Sequence, residues 1–256
     1  MSLQVYIDIE TLRAPEVYRL QIIDDVKSNF KAPSKLTKTQ AAIDLGLDPK
    51  SDEVKYTAAG DMIKRWESEL AEEKSADVAQ ELWEKTSFNP DIAQIACICI
   101  GWFDGSGSYQ SAVFETATML NEAEMLEEFH SYITSLCVSN GAEVRKPNFI
   151  GHNIAKFDLP FIWKRSVIND VACCKGVKWV DAKHGYNCYD TMTAWAGYGN
   201  RISADNLCKL LSIKGKTEGM DGSLVYDTWQ VDPQKVINYC YDDVLLVKEI
   251  HKRLTK

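Results

Sequence analysis

Zinc-ligand spacing is missing from this 256-residue chain, which has eight cysteines and four histidines but no C-x-x-C pair. His184 and Cys188 come nearest to such a pattern, and alone they do not make a zinc finger or ribbon. Cys97 and Cys99 lie within an apolar run, Cys173 and Cys174 are adjacent, and the others are scattered. A disulfide framework is therefore not expected, and reduced thiols in the cytoplasm fit best. No apolar run approaches the ~20 residues that span a bilayer, and Met1 leads directly into a strand, so neither a membrane partner nor a secretory leader is expected. No low-complexity linker marks a boundary either. One domain over residues 1–256 is the expectation, with a helical insertion at about 32–85.

A basic balance is also lacking: the net charge of −8 argues at first against a nucleic-acid partner. Its distribution is uneven. Residues 1–145 hold 13 Lys and Arg against 25 Asp and Glu, a net of −12, residues 146–216 hold 11 against 5, a net of +6, and the last forty contribute −2. The middle segment reads either as solvated lysines or as a surface for phosphates. A P-loop is absent too. Gly215-Lys216-Thr217 resembles its end, but position 210 is Leu where that motif needs Gly, and no long strand leads into it. Lys214 and Lys216 in that loop could approach a substrate or stay solvated.

What is present begins at the first strand, Gln4-Val5-Tyr6-Ile7-Asp8-Ile9-Glu10-Thr11. Side chains alternate along a strand, so Val5, Ile7 and Ile9 share one face and Tyr6, Asp8 and Glu10 the other. The apolar row can face a core. Two carboxylates on one face repel unless solvated or bridged by a cation, and a hard divalent ion such as Mg²⁺ or Mn²⁺ prefers such oxygens.

Further along, residues 15–31 are expected to be helical, with Val17, Leu20, Ile23 and Val26 at helical spacing. Residues 57–85 predict one or two helices with an apolar stripe through Met62, Trp66, Val78, Ala79, Leu82 and Trp83, whose aromatics read as core. Ile92 to Trp102 is a near-continuous apolar run, as in a central, doubly covered strand, and a turn at 104–107 returns it through 109–114 as a hairpin. Asn121 with Glu124 starts a capped helix, and residues 147–151 make a short strand ending in glycine. This order predicts an α/β fold, a mixed sheet flanked by helices, with ligands at the carboxyl ends of the strands.

Two later segments carry candidate ligands. Asp158 precedes Leu-Pro-Phe-Ile-Trp, where a helix N-cap explains it without any metal. His152 follows a strand and reads as a hydrogen-bonded structural residue, although a ligand role is open to it. The last helix begins with Asp232 as N-cap and Pro233 at its first position, and buries Val236, Ile237, Cys240, Val244, Leu245, Val247 and Ile250. Tyr239 and Asp243 lie one turn apart on one face, where an unpaired acid would be costly. Asp242, one position round, is expected to be more solvated.

Asp8-Ile9-Glu10, then Asn153-x-x-x-Phe157-Asp158, then Tyr239-x-x-x-Asp243 resemble the three motifs of the DEDD, or DnaQ-like, 3′-5′ exonucleases. The similarity is greatest to stand-alone bacterial and phage proteins that look like the proofreading domain of family B DNA polymerases. Softer matches are Gly151-His152-Asn153 and Tyr189-Asp190-Thr191. Asn238 stands where the histidine branch carries His, and Tyr239 places the chain in the tyrosine branch (DEDDy). The long stretch before Ile92 has no counterpart in the pattern.

The resemblance implies a ribonuclease H-like fold with a central mixed five-stranded sheet. It also implies that Asp8, Glu10, Asp158 and Asp243 bind two divalent ions, Mg²⁺ or Mn²⁺, ~3.5 to 4 Å apart. Tyr239 would orient the attacking water, since a phenol with a pKa near ~10 is a poor base at neutral pH. Thr11 and Leu12 would contact the terminal nucleotide, and Asn153 and Phe157 would help shape its pocket. The implied substrate is single-stranded DNA with a free 3′ end, with RNA as an alternative, the product 5′-mononucleotides, and the implied partners replication or repair proteins. A structure-selective endonuclease or resolvase on the same fold would share the acidic strand without needing Tyr239. A catalytically inactive nucleic-acid-binding module would usually have lost a carboxylate, and all four are here.

Overall fold

Strand β1 (Leu3–Leu12) is the centre of the sheet in this computed structural model, which describes residues 2–117, 121–138, 146–215 and 219–256. Helices α1 (Glu16–Asn29), α2 (Lys38–Asp44), α3 (Asp52–Tyr56) and α4 (Ala59–Glu84) come next. The hairpin of β2 (Gln94–Phe103) and β3 (Tyr109–Glu115) leads to α5 (Glu122–Cys137), β4 (Pro147–Gly151) and α6 (Asp158–Ile168). Then follow β5 (Cys188–Asp190), α7 (Thr191–Ala196), α8 (Ala204–Leu211), α9 (Val225–Trp229) and α10 (Pro233–Leu254).

The strands lie in the order β3-β2-β1-β4-β5. β1 pairs antiparallel with β2 and parallel with β4, so the expected mixed five-stranded sheet is present. Both faces are covered. Val5, Ile7 and Ile9 pack with Ile95, Ile98 and Ile100 of β2 against α5 and α6. On the other face Tyr6, Cys97, Cys99 and Ile150 meet Val236, Cys240, Val244 and Val247 of α10. The face that carries the acids is thus itself half core: Tyr6 is buried, and its hydroxyl lies 3.1 Å from Nδ1 of His251.

A buried ion pair ties α5, α6 and β2 together. Glu122 Oε2 lies 2.6 Å from an Arg165 nitrogen, and the Ile95 amide donates to Glu122 Oε1 at 2.7 Å. Asn121 caps α5 by accepting from the Glu124 amide, and Asp232 caps α10 by accepting from the Lys235 amide, as the sequence predicts. On α10, however, Leu246 is buried rather than Leu245, because α8 packs there through Leu207 and Cys208.

Residues Met1–Leu12 and Phe88–Lys256 form one compact unit and Arg13–Ser87 a second. In the second unit α4 buries Met62, Trp66, Ala79 and Trp83, while Val78 and Leu82 of the expected stripe are exposed. Trp66 donates its indole N–H to Asp44, and Trp83 to the carbonyl of Ala14. Helix α1 packs on α4 and so joins this unit, although the sequence set the start of the insertion near residue 32. It is the helix that the spacing of Val17, Leu20, Ile23 and Val26 predicts, although none of its residues is buried and Val17 and Leu20 are exposed. All eight cysteines are free thiols. Among the described residues no helix is long and apolar enough to cross a membrane.

Candidate active site

Beyond Tyr6 the β1 strand outruns β4, whose pairing with it stops at Tyr6–Ile150. The half-buried acids Asp8 and Glu10 project from this stretch, opposite Cys99 and Cys97 of β2. An irregularity in the ladder follows between Glu10 and Thr11, the kind of bulge that re-aims side chains beside active sites. Helix α10 brings the third acid. Carboxylate oxygens of Asp8, Glu10 and Asp243 all lie within 4.8 Å of one another. Three like charges this close favour protonation or a bound cation, and an all-oxygen set suits a hard divalent ion.

Asp158 stands outside that trio. It opens α6, with Phe157 in the N-cap position, and the backbone amides of Asp158 itself and of Ile9, the residue between the two β1 acids, favour its ionised form. The capping alternative therefore does not account for its side chain. Burial, with the like charges of Asp190 and Asp243, pushes Asp158 up to about 7 despite those amides. A divalent ion beside it would favour the ionised form, so the residues fit such an ion.

The loop that carries Asp158 is held by a carboxylate that the sequence offered only within a soft match. Asp190 is fully buried and accepts the amides of Asn153, Ala155, Met192 and Thr193 at 3.0 to 3.2 Å. Its N-cap position before Thr-Met-Thr was the legible signal. Asn153 adopts φ 64°, a left-handed conformation that asparagine tolerates better than most residues. Gly151 is required just before: a Cβ there would come within 2.8 Å of Ile154 and 3.1 Å of the Ile7 carbonyl oxygen. His152 has both ring nitrogens engaged, with Nδ1 at 2.9 Å from Thr191 Oγ1 and Nε2 donating to the Ile202 carbonyl at 2.9 Å. It is structural, as the sequence suggested. His184 is likewise occupied, accepting the Asp190 amide, and Cys188 belongs to the core.

Asp8 and Asp243 open into a cleft of about 400 Å³ whose wall also holds Asn153, Met192, Arg201 and Ser203. Of the four residues assigned to the terminal nucleotide, Asn153 lines this cleft. Thr11 is buried, Leu12 packs with Val225 and Trp229, and Phe157 makes tilted ring contacts with Phe88 and Phe161. Arg201 and Ser203 were not found by sequence reasoning. Ser203 carries an N-cap signal for α8, whereas Arg201 had only the positive charge of its segment.

Tyr239 is half-buried one turn before Asp243, its ring packed with the apolar cluster beneath the acids. Beneath them also lies a thiol trio: Cys97, Cys99 and Cys240, all buried, have sulfurs within 4.8 Å of one another. Asp242, expected to be the more solvated, is half-buried like Asp243 and lines a different cleft with Lys214 and Glu249; Lys216 lies outside the described residues.

No curated protein matches the chain. Residues 88–249 match a family described as predicted 3′-5′ exonucleases related to the exonuclease domain of PolB. That span holds Asn153, Asp158, Tyr239 and Asp243, while Asp8 and Glu10 precede it. The sheet order and flanking helices are those of a ribonuclease H-like exonuclease fold. The chain belongs to this family of predicted 3′-5′ exonucleases related to the PolB exonuclease domain.

Proposed function

We propose that the protein is a metal-dependent 3′-5′ exonuclease that removes 5′-mononucleotides from single-stranded nucleic acid, DNA before RNA. The observation that carries this reading is the approach of Asp8, Glu10 and Asp243 to within 4.8 Å, from a strand and a helix 233 residues apart in sequence at their acids.

Asp8, Glu10 and Asp243 would hold divalent cations, Mg²⁺ or Mn²⁺, two in number on the family pattern, with Asp158 completing the set. When bound, such ions supply a water of lowered pKa and neutralise charge on the phosphate and the departing 3′ oxygen. Tyr239, one turn from Asp243, orients the attacking water by its hydroxyl rather than taking its proton. Asn153 and Arg201 border the space beside Asp8 and Asp243, where a terminal nucleotide fits; Arg201 can pair with a phosphate. The whole of residues 1–256 acts as one exonuclease chain, and its eight free thiols suit a cytoplasmic setting alongside replication or repair proteins.

Digestion of 5′-labelled single-stranded DNA and RNA with Mg²⁺ or Mn²⁺ tests this. A ladder that shortens from the 3′ end, lost in Asp8→Ala and slowed in Tyr239→Phe, is expected. Intact substrate, or a ladder indifferent to Asp8→Ala, contradicts it.

A further inference from the structure

The chain between two residues that line the cleft of Asp8 and Asp243 carries aromatic rings that the reaction itself does not use. Met192 in α7 and Arg201 beyond it both line the cleft. Between them the chain carries two large exposed rings, Trp195 at 47% and Tyr198 at 70%. Trp195 follows Met192 by three residues and so lies on the same side of α7. Tyr198 stands between Gly197 and Gly199, at φ 79° and 86°, backbone that glycine adopts readily. Its hydroxyl nevertheless donates to the His184 carbonyl at 3.1 Å.

A ring that is exposed but anchored offers its face to a planar ligand with little freedom left to lose. The bases and phosphates of a nucleic acid combine planarity with negative charge, and the exposed Arg201 lies within the segment of net charge +6. Resting on the exonuclease reading above, we propose that Trp195, Tyr198 and Arg201 form the entry track for the single strand. Bases upstream of the 3′ end stack on Trp195 and Tyr198, and Arg201 takes the phosphate nearest the cleft. Such a track is tolerant of sequence, because every base has a π-face, and it favours unpaired strands, whose bases are free to splay.

The test is binding rather than turnover, so it holds whether or not cleavage occurs. A 5′-fluorescein 12-mer of single-stranded DNA is titrated in Ca²⁺ with wild type, Trp195→Ala, Tyr198→Ala, Tyr198→Phe and Arg201→Ala, and thermal melts confirm each fold. Each alanine at an aromatic position is expected to weaken binding about 5- to 100-fold, and Tyr198→Phe by about twofold. Arg201→Ala should lower the slope of log K against log salt by about 0.7, the loss of one phosphate contact. An oligonucleotide with abasic positions upstream of its 3′ end should bind wild type weakly and Tyr198→Ala no more weakly than the intact strand does. Equal affinity of wild type and both aromatic variants for the intact 12-mer overturns the track. Weakened binding by folded aromatic variants, with no cleavage of any strand by wild type, upholds the track and defeats the exonuclease reading.

Discussion

The Cys240 thiol donates to the Asp8 carbonyl oxygen across 3.4 Å, fastening the helix that bears Asp243 to the strand that bears Asp8. Both elements are otherwise held by apolar packing, with Cys240 and Val244 against Cys97 and Cys99. Replacing Cys240 with Ala removes this contact and leaves a small void, a loss of about 1–2 kcal/mol. Urea denaturation reads the stability, and steady-state cleavage should show kcat falling further than KM rises, because the spacing of the acids is disturbed rather than the nucleotide cleft.

Asp158→Asn is expected to separate folding from chemistry. The folded carboxyl titrates near 7 and the unfolded one near ~3.9, so the folded state binds more protons between those values. The contribution of Asp158 to stability is therefore full below pH ~4 and is lost as pH rises through 7. In the absence of metal, Asp158→Asn should be more stable than wild type at pH 8, and the gap should close toward pH 4. Cleavage should nevertheless fall by ~10³-fold, equivalent to several kcal/mol of charge stabilisation. Thermal melts across pH, with parallel activity assays, check both.

His130 has the opposite sign. Burial brings it down to about 4, while an unfolded histidine titrates near ~6.5. Nδ1 accepts the Cys174 amide at 3.3 Å and Nε2 lies 2.9 Å from Ser166 Oγ, so the neutral ring suits both partners. Its contribution is full above pH ~6.5 and is lost as pH falls to 4, roughly 3 kcal/mol in all. His130→Gln should lower stability at pH 7 and flatten the profile through that window.

Much of the frame was legible because it is local. The alternation of Val5, Ile7 and Ile9 against Asp8 and Glu10, the Asn121 cap and the Asp232-Pro233 start of α10 each follow from a few neighbouring residues. What escaped depends on distant pairing. Asp190 collects amides from Asn153 and Ala155 more than thirty positions away, and Arg201 reaches the cleft because α8 packs on Leu246 and Ile250. No periodicity announces either. The outward-facing Val17 and Leu20 show the converse, a helical spacing without a core to meet it.

The ion pair of Glu122 and Arg165 is another long-range feature, with side chains only 4% and 8% exposed. Glu122→Ala leaves the guanidinium buried without its partner and the Ile95 amide without its acceptor, an expected loss of about 3–5 kcal/mol. The double replacement Glu122→Leu with Arg165→Met should cost less than Glu122→Ala alone, and chemical denaturation of the three proteins decides it.

The central claim is that the acids of β1 and α10 serve a reaction that begins at a 3′ end. The most direct measurement compares a linear single-stranded DNA with the same sequence closed into a circle, under Mg²⁺ or Mn²⁺. Progressive loss of the linear strand, with the circle intact and both inert with Asp8→Ala, is the predicted result. Opening of the circle at a comparable rate would contradict it.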